Sequence, residues 1–100
     1  MAHRPHTPTR DQVIELARTG RVAPAPNFHG RSAHGATFKK LASQLLFTFE
    51  VRKDPRPEHP RGYVAYTQNW GREIYRVDFD LATDEEGSVI LIVTGWNVAE

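Results

Sequence analysis

Two histidines lie in a basic stretch of the chain, NFHGRSAHGATFKK, which spans residues 27–40. Helical zinc pairs occur at positions i and i+4 and need further histidine, cysteine or carboxylate ligands. His29 and His34 are instead five residues apart, with Arg31 and no acidic residue between them. The spacing therefore argues against a metal site, and we expect neither a metal ion nor another cofactor.

The same stretch is better suited to an anion. His34 stands at the start of the second predicted helix, and the N-terminus of a helix favours negative charge. Gly30 and Gly35 would let backbone N–H groups approach a phosphate closely. The alternative interpretation is an ordinary polar segment that leads into the helix.

The residue types needed for metal-free RNA cleavage are all present. In that reaction the 2′-hydroxyl attacks the adjacent phosphate, helped by a base, a proton donor for the leaving oxygen and cations for the developing charge. Histidine, tyrosine, lysine and arginine can fill these roles, and aromatic rings can stack on unpaired bases. The available side chains are His29, Arg31, His34, Lys53, Arg61, Tyr66, Trp70, Arg72 and Tyr75. The set permits the reaction, although other small basic domains would offer similar residues.

Composition limits the class of protein. The 100 residues suit one domain over residues 1–100, and a hydrophobic content of 39% allows a packed core. The chain has no cysteine, which excludes disulfides and thiolate metal sites. Its longest apolar run, VILIV, is too short to span a bilayer, and the N-terminal MAHRPHTPTR lacks the apolar segment of a signal peptide. We expect a soluble, cytoplasmic protein with no membrane partner.

The net charge of +1 conceals an uneven distribution along the chain. Residues 1–62 contain 11 Lys/Arg and 5 Asp/Glu, whereas residues 63–100 contain 2 and 7. A basic surface attracts phosphate-rich ligands such as RNA. The alternative is that the two halves simply neutralise each other in the fold.

Two helices and a proline-rich connection are predicted in the first half of the chain. Thr9 and Gln12 fit a capping box and Gly20 is a natural stop, so the first helix is expected over residues 10–19. The segment RVAPAPNFHGRS cannot be helical and should run extended across the surface. Apolar residues at helical spacing then predict a second helix over residues 34–44.

Four strands are predicted in the second half, at residues 46–53, 63–70, 73–81 and 89–98. In the first of them, Phe47, Phe49 and Val51 should share a face. In the third, side chains alternate between the two faces, so Tyr75 should face the core and Asp78 should face the other side. The last strand, VILIVTGWNV, is apolar on both faces and should be central or covered on both sides.

These elements predict an α+β domain of order ααββββ. Short connections favour an antiparallel sheet of four strands, and the two N-terminal helices should pack on one of its faces. The opposite face would then be partly open, beside a basic helix. Such a face is a place to hold an extended ligand.

Two segments carry a resemblance to a known family. PHTPTRDQVIELARTGRV, and GREIYRVDFD followed by VILIV, resemble the motility-quorum-sensing-regulator toxins, small ribonucleases of bacterial toxin–antitoxin pairs in the RelE/barnase-like group. The matches cover about 35 of the 100 residues, and the region from His29 to Asn69 does not align. The resemblance implies an endoribonuclease that acts on messenger RNA and is held inactive by an antitoxin protein.

The resemblance also implies site residues. The family's functional tyrosine corresponds to Tyr75, and its lysine corresponds loosely to Lys53, for which Lys39 or Lys40 could substitute. A family glutamine has no aligned counterpart, because the spacing of Gln68 to Tyr75 differs. Together with the residue chemistry, we expect a catalytic set of Tyr75, Lys53 and His34. The expected RNA- or phosphate-binding set is His29, Arg31, Lys40, Arg61, Tyr66 and Arg72.

Three alternatives to this assignment follow from the residues. Tyr75 is in phase with Val77 and Phe79, which is also typical of a core tyrosine. The protein could be a non-catalytic regulator that binds RNA or protein. It could also be an immunity or antitoxin protein whose acidic half binds a basic toxin.

Overall fold

A computed structural model describes residues 7–30, 35–57, 62–68 and 73–99 of the chain. Its helices are α1 (Arg10–Arg18) and α2 (Gly35–Gln44), the latter followed by a 3₁₀ turn (Leu45–Phe47). Its strands are β1 (Val22–Gly30), β2 (Thr48–Lys53), β3 (Tyr63–Thr67), β4 (Tyr75–Thr83) and β5 (Val89–Val98). The α+β class is confirmed, but the sheet has five strands, in the order β1-β5-β4-β3-β2, instead of four.

The first helix forms as its capping residues predict. The side-chain oxygen of Thr9 accepts a hydrogen bond from the Gln12 N–H at 3.2 Å, and the Gln12 side chain accepts one from the Thr9 N–H at 2.8 Å. The chain leaves the helix through Gly20, whose φ of 75° favours glycine. Val13 is fully buried and fixes the inward face of α1.

The proline-rich connection is the main correction to the predicted order. The segment is extended, as expected, but it forms the edge strand β1, which pairs in parallel with β5 through Val22–Leu91 and Gly30–Trp96. The two helices are therefore separated by a strand, and the sheet is not purely antiparallel. An edge position tolerates Pro24 and Pro26, because an outward-facing residue needs no N–H donor. Parallel pairing joins residues far apart in sequence, so local periodicity did not reveal it.

Both helices cover one face of the sheet. Val13 of α1 and Leu41 of α2 pack into a single core with inward residues of the strands, namely Tyr63, Ala65, Val77, Phe79, Leu91, Val93 and Trp96. β5 lies inside the sheet between β1 and β4, which confirms its predicted central position. Within the part of the chain that the structure describes, no helix is long and apolar enough to cross a membrane.

Two irregularities decide which side chains share a face. In β5 the pairing with β4 shifts by one residue at Thr94, so Val93 and Trp96 both reach the core. In β2 the pairing with β3 shifts between Thr48 and Glu50. The expected common face of Phe47, Phe49 and Val51 is therefore wrong: Phe49 is exposed, whereas Val51 packs against the core.

A charged contact ties the start of β1 to the turn between β4 and β5. The Arg21 guanidinium forms an ion pair with Asp84 and donates a hydrogen bond to the Val89 carbonyl at 2.8 Å. Asp84 also accepts hydrogen bonds from the backbone N–H groups of Glu86 and Ser88, both at 2.9 Å. The hydrogen bond from Arg21 and then that from Ser88 hold the pKa of the Asp84 carboxyl below its ordinary value.

This contact should make stability sensitive to acid. Because the pKa of Asp84 is lower in the folded chain, its contribution is present above the ordinary carboxyl pKa and is lost as the pH falls through the folded value. Asp84→Asn should therefore lower the free energy of unfolding near neutral pH and flatten its decline below about pH 4. Urea denaturation across that range measures both effects. Glu85→Gln in the same turn is the matched control, and an equal effect of the two substitutions would contradict the assignment.

Candidate nucleic-acid interface

The sheet face opposite the helices carries charged and aromatic side chains. Along β3 and β4 the inward residues Ala65 and Val77 alternate with outward residues, and the register places Tyr66 directly opposite Arg76. From β2, Glu50 is aligned with Tyr66 in the same ladder. This face, which we call the uncovered face because neither helix packs on it, was expected to be partly open. Val64 and Asp78 at its middle are nevertheless buried, at 3% and 0% exposure.

A fully buried carboxylate lies at the centre of the uncovered face. Asp78 has a relative exposure of 0%, and its two oxygens lie 3.0 Å from Nη2 of Arg56 and 3.1 Å from Nε of Arg76. The Arg56 contact has an ion-pair distance but lacks the alignment of a hydrogen bond, so the attraction is mainly coulombic. Both arginine side chains are about one-third exposed, at 35% and 36%. Both side chains therefore cover Asp78 while remaining partly accessible to solvent.

Arg56 is fixed from a second side by Asp54, the residue that follows β2. The guanidinium of Arg56 meets the Asp54 carboxylate through Nε at 3.0 Å and Nη2 at 2.6 Å. Asp54 also accepts a hydrogen bond from the Arg56 backbone N–H at 3.0 Å, and its own N–H donates to the Gly62 carbonyl at 3.0 Å. The hydrogen bond to Asp54 is the main reason that the pKa of Arg56 is raised further above its already high value. Arg56 thus keeps a full positive charge at a fixed position.

An aromatic platform lies beside this charge cluster. The rings of Phe49 and Tyr66 have centroids 6.5 Å apart at an angle of 40°, and the guanidinium carbon of Arg52 lies 5.8 Å from the centre of the Tyr66 ring. Phe49 is 43% exposed, which is unusual for a phenylalanine in a small domain. A surface pocket of about 270 Å³ is lined by Phe49, Glu50, Arg52, Tyr66, Ile74 and Ala99. Phe49 is exposed and Tyr66 is half-buried. Aromatic rings next to arginines can stack on unpaired bases while the arginines contact phosphates.

The structure places Tyr75 on the other face of the sheet. Tyr75 begins β4, is half-buried, and packs against Trp96 with ring centroids 5.6 Å apart. It lies at the same end of the sheet as Tyr66, because its strand partner Thr67 follows Tyr66 in the chain. The ring thus belongs to the margin of the core, as one interpretation of the sequence proposed.

Lys53 and Tyr75 are not brought together. Lys53 is opposite Tyr63, which is opposite Phe79, four residues beyond Tyr75 along β4. Two strand spacings and four residues of rise give a separation of about 17 Å between the two backbone positions. The two residues therefore do not form a compact catalytic pair in this arrangement.

Of the remaining predicted site residues, three lie within the described part of the chain and four lie outside it. Tyr66 lies on the uncovered face, whereas Lys40 is exposed on α2, on the side of the sheet that the helices cover. His29 belongs to β1 and its backbone pairs with Gly95. The others lie outside the described residues; they are Arg31, His34, Arg61 and Arg72.

Sequence reasoning missed most of the uncovered face. It assigned Asp78 to the correct side, but not the burial of its carboxylate beneath two arginines. It also could not select Arg56 from the charge-rich segment RKDPRPEHPR. Alternation alone could not reveal the burial of Asp78, because Asp80 occupies an equivalent position in β4 and is only half-buried.

Comparisons with protein-family models, with curated proteins and with solved structures give no significant match to this chain.

The Arg56 contacts should be important for stability. Arg56→Ala removes a guanidinium shared by two buried carboxylates, and breaking such a buried pair typically costs about 3 kcal/mol of unfolding free energy. Arg56→Lys keeps the charge but not the two-point contact with Asp54, so it should lower the free energy of unfolding by less than Arg56→Ala does. Chemical denaturation near neutral pH measures the losses. Arg10→Ala, which breaks only the exposed 3.5 Å contact with Asp11, is the control. Equal stability of the Arg56→Ala and Arg10→Ala variants would show that the cluster contributes nothing.

Proposed function

We propose that this protein is a metal-independent endoribonuclease toxin of the RelE/barnase-like type, and that RNA binds across the uncovered face. The observation that carries the proposal is the platform of Phe49 and Tyr66 beneath Arg52, next to Arg76. Single-stranded RNA is recognised by just this combination, since bases stack on aromatic rings while guanidinium groups bind the backbone. The resemblance of two segments to toxin ribonucleases supplies the reaction class.

The end of the sheet that carries the platform is also the place for the chemistry. Tyr75 lies at this end, beside Trp96. Gly30, the last residue of β1, pairs with Trp96, so β1 ends at the same end of the sheet. We retain Tyr75 and, for its residue type, His34 as the proton-transfer pair, but not Lys53 as their cation. Arg76 faces the uncovered side and contacts Asp78, so we assign it to the RNA backbone on that face. Lys53 lies at the far end of the sheet.

Tyr75→Phe tests the catalytic assignment. The substitution keeps the ring that packs against Trp96 and removes only the hydroxyl, so the fold and its melting temperature should change little. Cleavage of an RNA oligonucleotide in EDTA should fall by about a hundredfold or more if the hydroxyl transfers a proton. Lys53→Ala should lose far less cleavage activity than Tyr75→Phe. Intact RNA after incubation with the wild-type protein would refute the ribonuclease proposal, and unchanged cleavage by Tyr75→Phe would refute the role of Tyr75.

Substitutions of Tyr66 test RNA binding by the platform separately from catalysis. A 2′-O-methyl RNA cannot be cleaved, because its 2′-oxygen is blocked, so fluorescence anisotropy then measures binding alone. Tyr66→Ala should weaken binding by about 1–3 kcal/mol, the range for a base stacked on an aromatic ring. Tyr66→Phe keeps the stacking surface and should bind nearly as well as the wild type. Equal binding by Tyr66→Ala and wild type would remove the platform from the site.

A second candidate function is an RNA-binding regulator without catalysis. The observation that favours it is the half-buried position of Tyr75 in the core margin, about 17 Å from Lys53 by sheet geometry. Such a regulator would bind the 2′-O-methyl RNA through Tyr66 but leave ordinary RNA whole. For the toxin, expression alone should arrest growth, and co-expression of its antitoxin should restore it.

A further inference from the structure

The two edges of the sheet differ in how they are protected. β1 carries Pro24 and Pro26, and a proline edge cannot offer a full row of N–H donors to another strand. β2 has the sequence TFEVRK, without proline or glycine. Among the residues that the structure describes, no strand pairs with the outer side of β2. An open edge can pair with another chain, and because β2 is short and bulged before Glu50, such pairing would be confined to its regular part around Val51.

We propose that this outer edge of β2 pairs with β2 of a second copy of the chain, in an antiparallel arrangement with a two-fold axis at Val51. The resulting dimer would have one continuous sheet of ten strands, twice the five of a single copy. This inference does not depend on RNA cleavage.

The backbone of β2 presents its hydrogen-bonding groups in the required phase. The Asp54 N–H donates to the Gly62 carbonyl, which marks Asp54 and Gly62 as a hydrogen-bonded pair at the end of the ladder. Hydrogen-bonded and non-bonded pairs alternate in an antiparallel ladder. Val51 and Lys53 therefore point their N–H and C=O groups away from β3. With the axis at Val51, the two Val51 residues face each other and can exchange two backbone hydrogen bonds.

The charges of β2 are self-complementary about the same point. Glu50 and Arg52 flank Val51, and the two side chains already meet within one chain as an ion pair on the uncovered face. Antiparallel pairing about Val51 puts Glu50 of each copy directly opposite Arg52 of the other. Opposite charges in that position stabilise a sheet, whereas like charges destabilise it. The sequence of the strand thus favours its own antiparallel copy over an arbitrary partner strand.

Exposed apolar surface at the start of β2 supports the same conclusion. Four large hydrophobic residues are exposed in the described part of the chain, and three of them fall at this point: Leu46 at 39%, Phe47 at 38% and Phe49 at 43%. Adjacent exposed apolar residues are typical of interaction surfaces. A second copy laid along β2 would cover part of them.

A charge-exchange cycle, followed by sedimentation velocity over a range of protein concentrations, tests the pairing. Arg52→Glu and Glu50→Arg should each raise the dimer dissociation constant by about tenfold or more, because two favourable cross-strand pairs become two repulsive ones. The double variant, in which both residues are exchanged, should restore the dimer. Lys39→Glu, on the exposed side of α2, makes the same change in charge as Arg52→Glu and should leave the dimer intact. Far-ultraviolet circular dichroism checks that each variant is folded.

A second measurement uses the wild-type chain alone. The amide hydrogen of Val51 should exchange slowly in a concentrated sample and faster on dilution, because its hydrogen bond exists only in the dimer. The amide of Asp54 bonds within one chain and should not respond to concentration in this way.

Three results would overturn the proposal. The first is a wild-type chain that stays monomeric at about 100 µM, where a dimer of micromolar affinity would be almost fully formed. A chain that binds a different protein but not its own copy would overturn the proposal in the same way. The second is a dimer that the single substitutions leave unchanged, which would place the interface elsewhere. The third is a failure of the double variant to recover, which would exclude pairing about Val51.

Discussion

Asp78 is the residue on which the uncovered face depends. Its carboxylate is fully buried in the middle of β4, and an unpaired charge at that depth would cost several kcal/mol. Two arginines from different parts of the chain must therefore stay in place over it, and Asp54 holds one of them from the end of β2. The side chains offered to a ligand are thus fixed before the ligand arrives. Preorganisation of this kind lowers the entropy cost of binding.

The two tyrosines at one end of the sheet have different surroundings because the sheet alternates. Tyr66 and Tyr75 lie on neighbouring strands, but one faces the uncovered side and the other packs against Trp96 under the helices. A base can stack on Tyr66, whereas Tyr75 can reach a phosphate only where the sheet ends. If both act on one RNA, the strand must cross the end of the sheet, so that its bases lie over one face and the scissile phosphate lies at the margin.

Local sequence patterns predicted the structural features that depend on residues close together in the chain. The capping box of Thr9 and Gln12 and the bounds of β5 follow from local patterns, and both are present in the structure. Three features depend on residues far apart in the chain and were not predicted from the sequence: the parallel pairing of β1, the bulge that turns Phe49 outward, and the burial of Asp78 beneath Arg56. In each case the local pattern was compatible with two arrangements, and tertiary contacts chose between them. The candidate site was accordingly predicted less well than the fold, because it is built almost entirely from such contacts.

The exposed edge and the aromatic platform become related if β2 pairs with its own copy. A two-fold axis perpendicular to the sheet keeps the uncovered faces of both copies on the same side. Three strand spacings and an offset of two residues then separate the two Tyr66 positions by about 16 Å. One extended strand of RNA could span that distance and stack on both rings, so that the two weak contacts would act as a linked pair with a high effective concentration. Dimerisation would then raise affinity for single-stranded RNA without any additional contact within each copy.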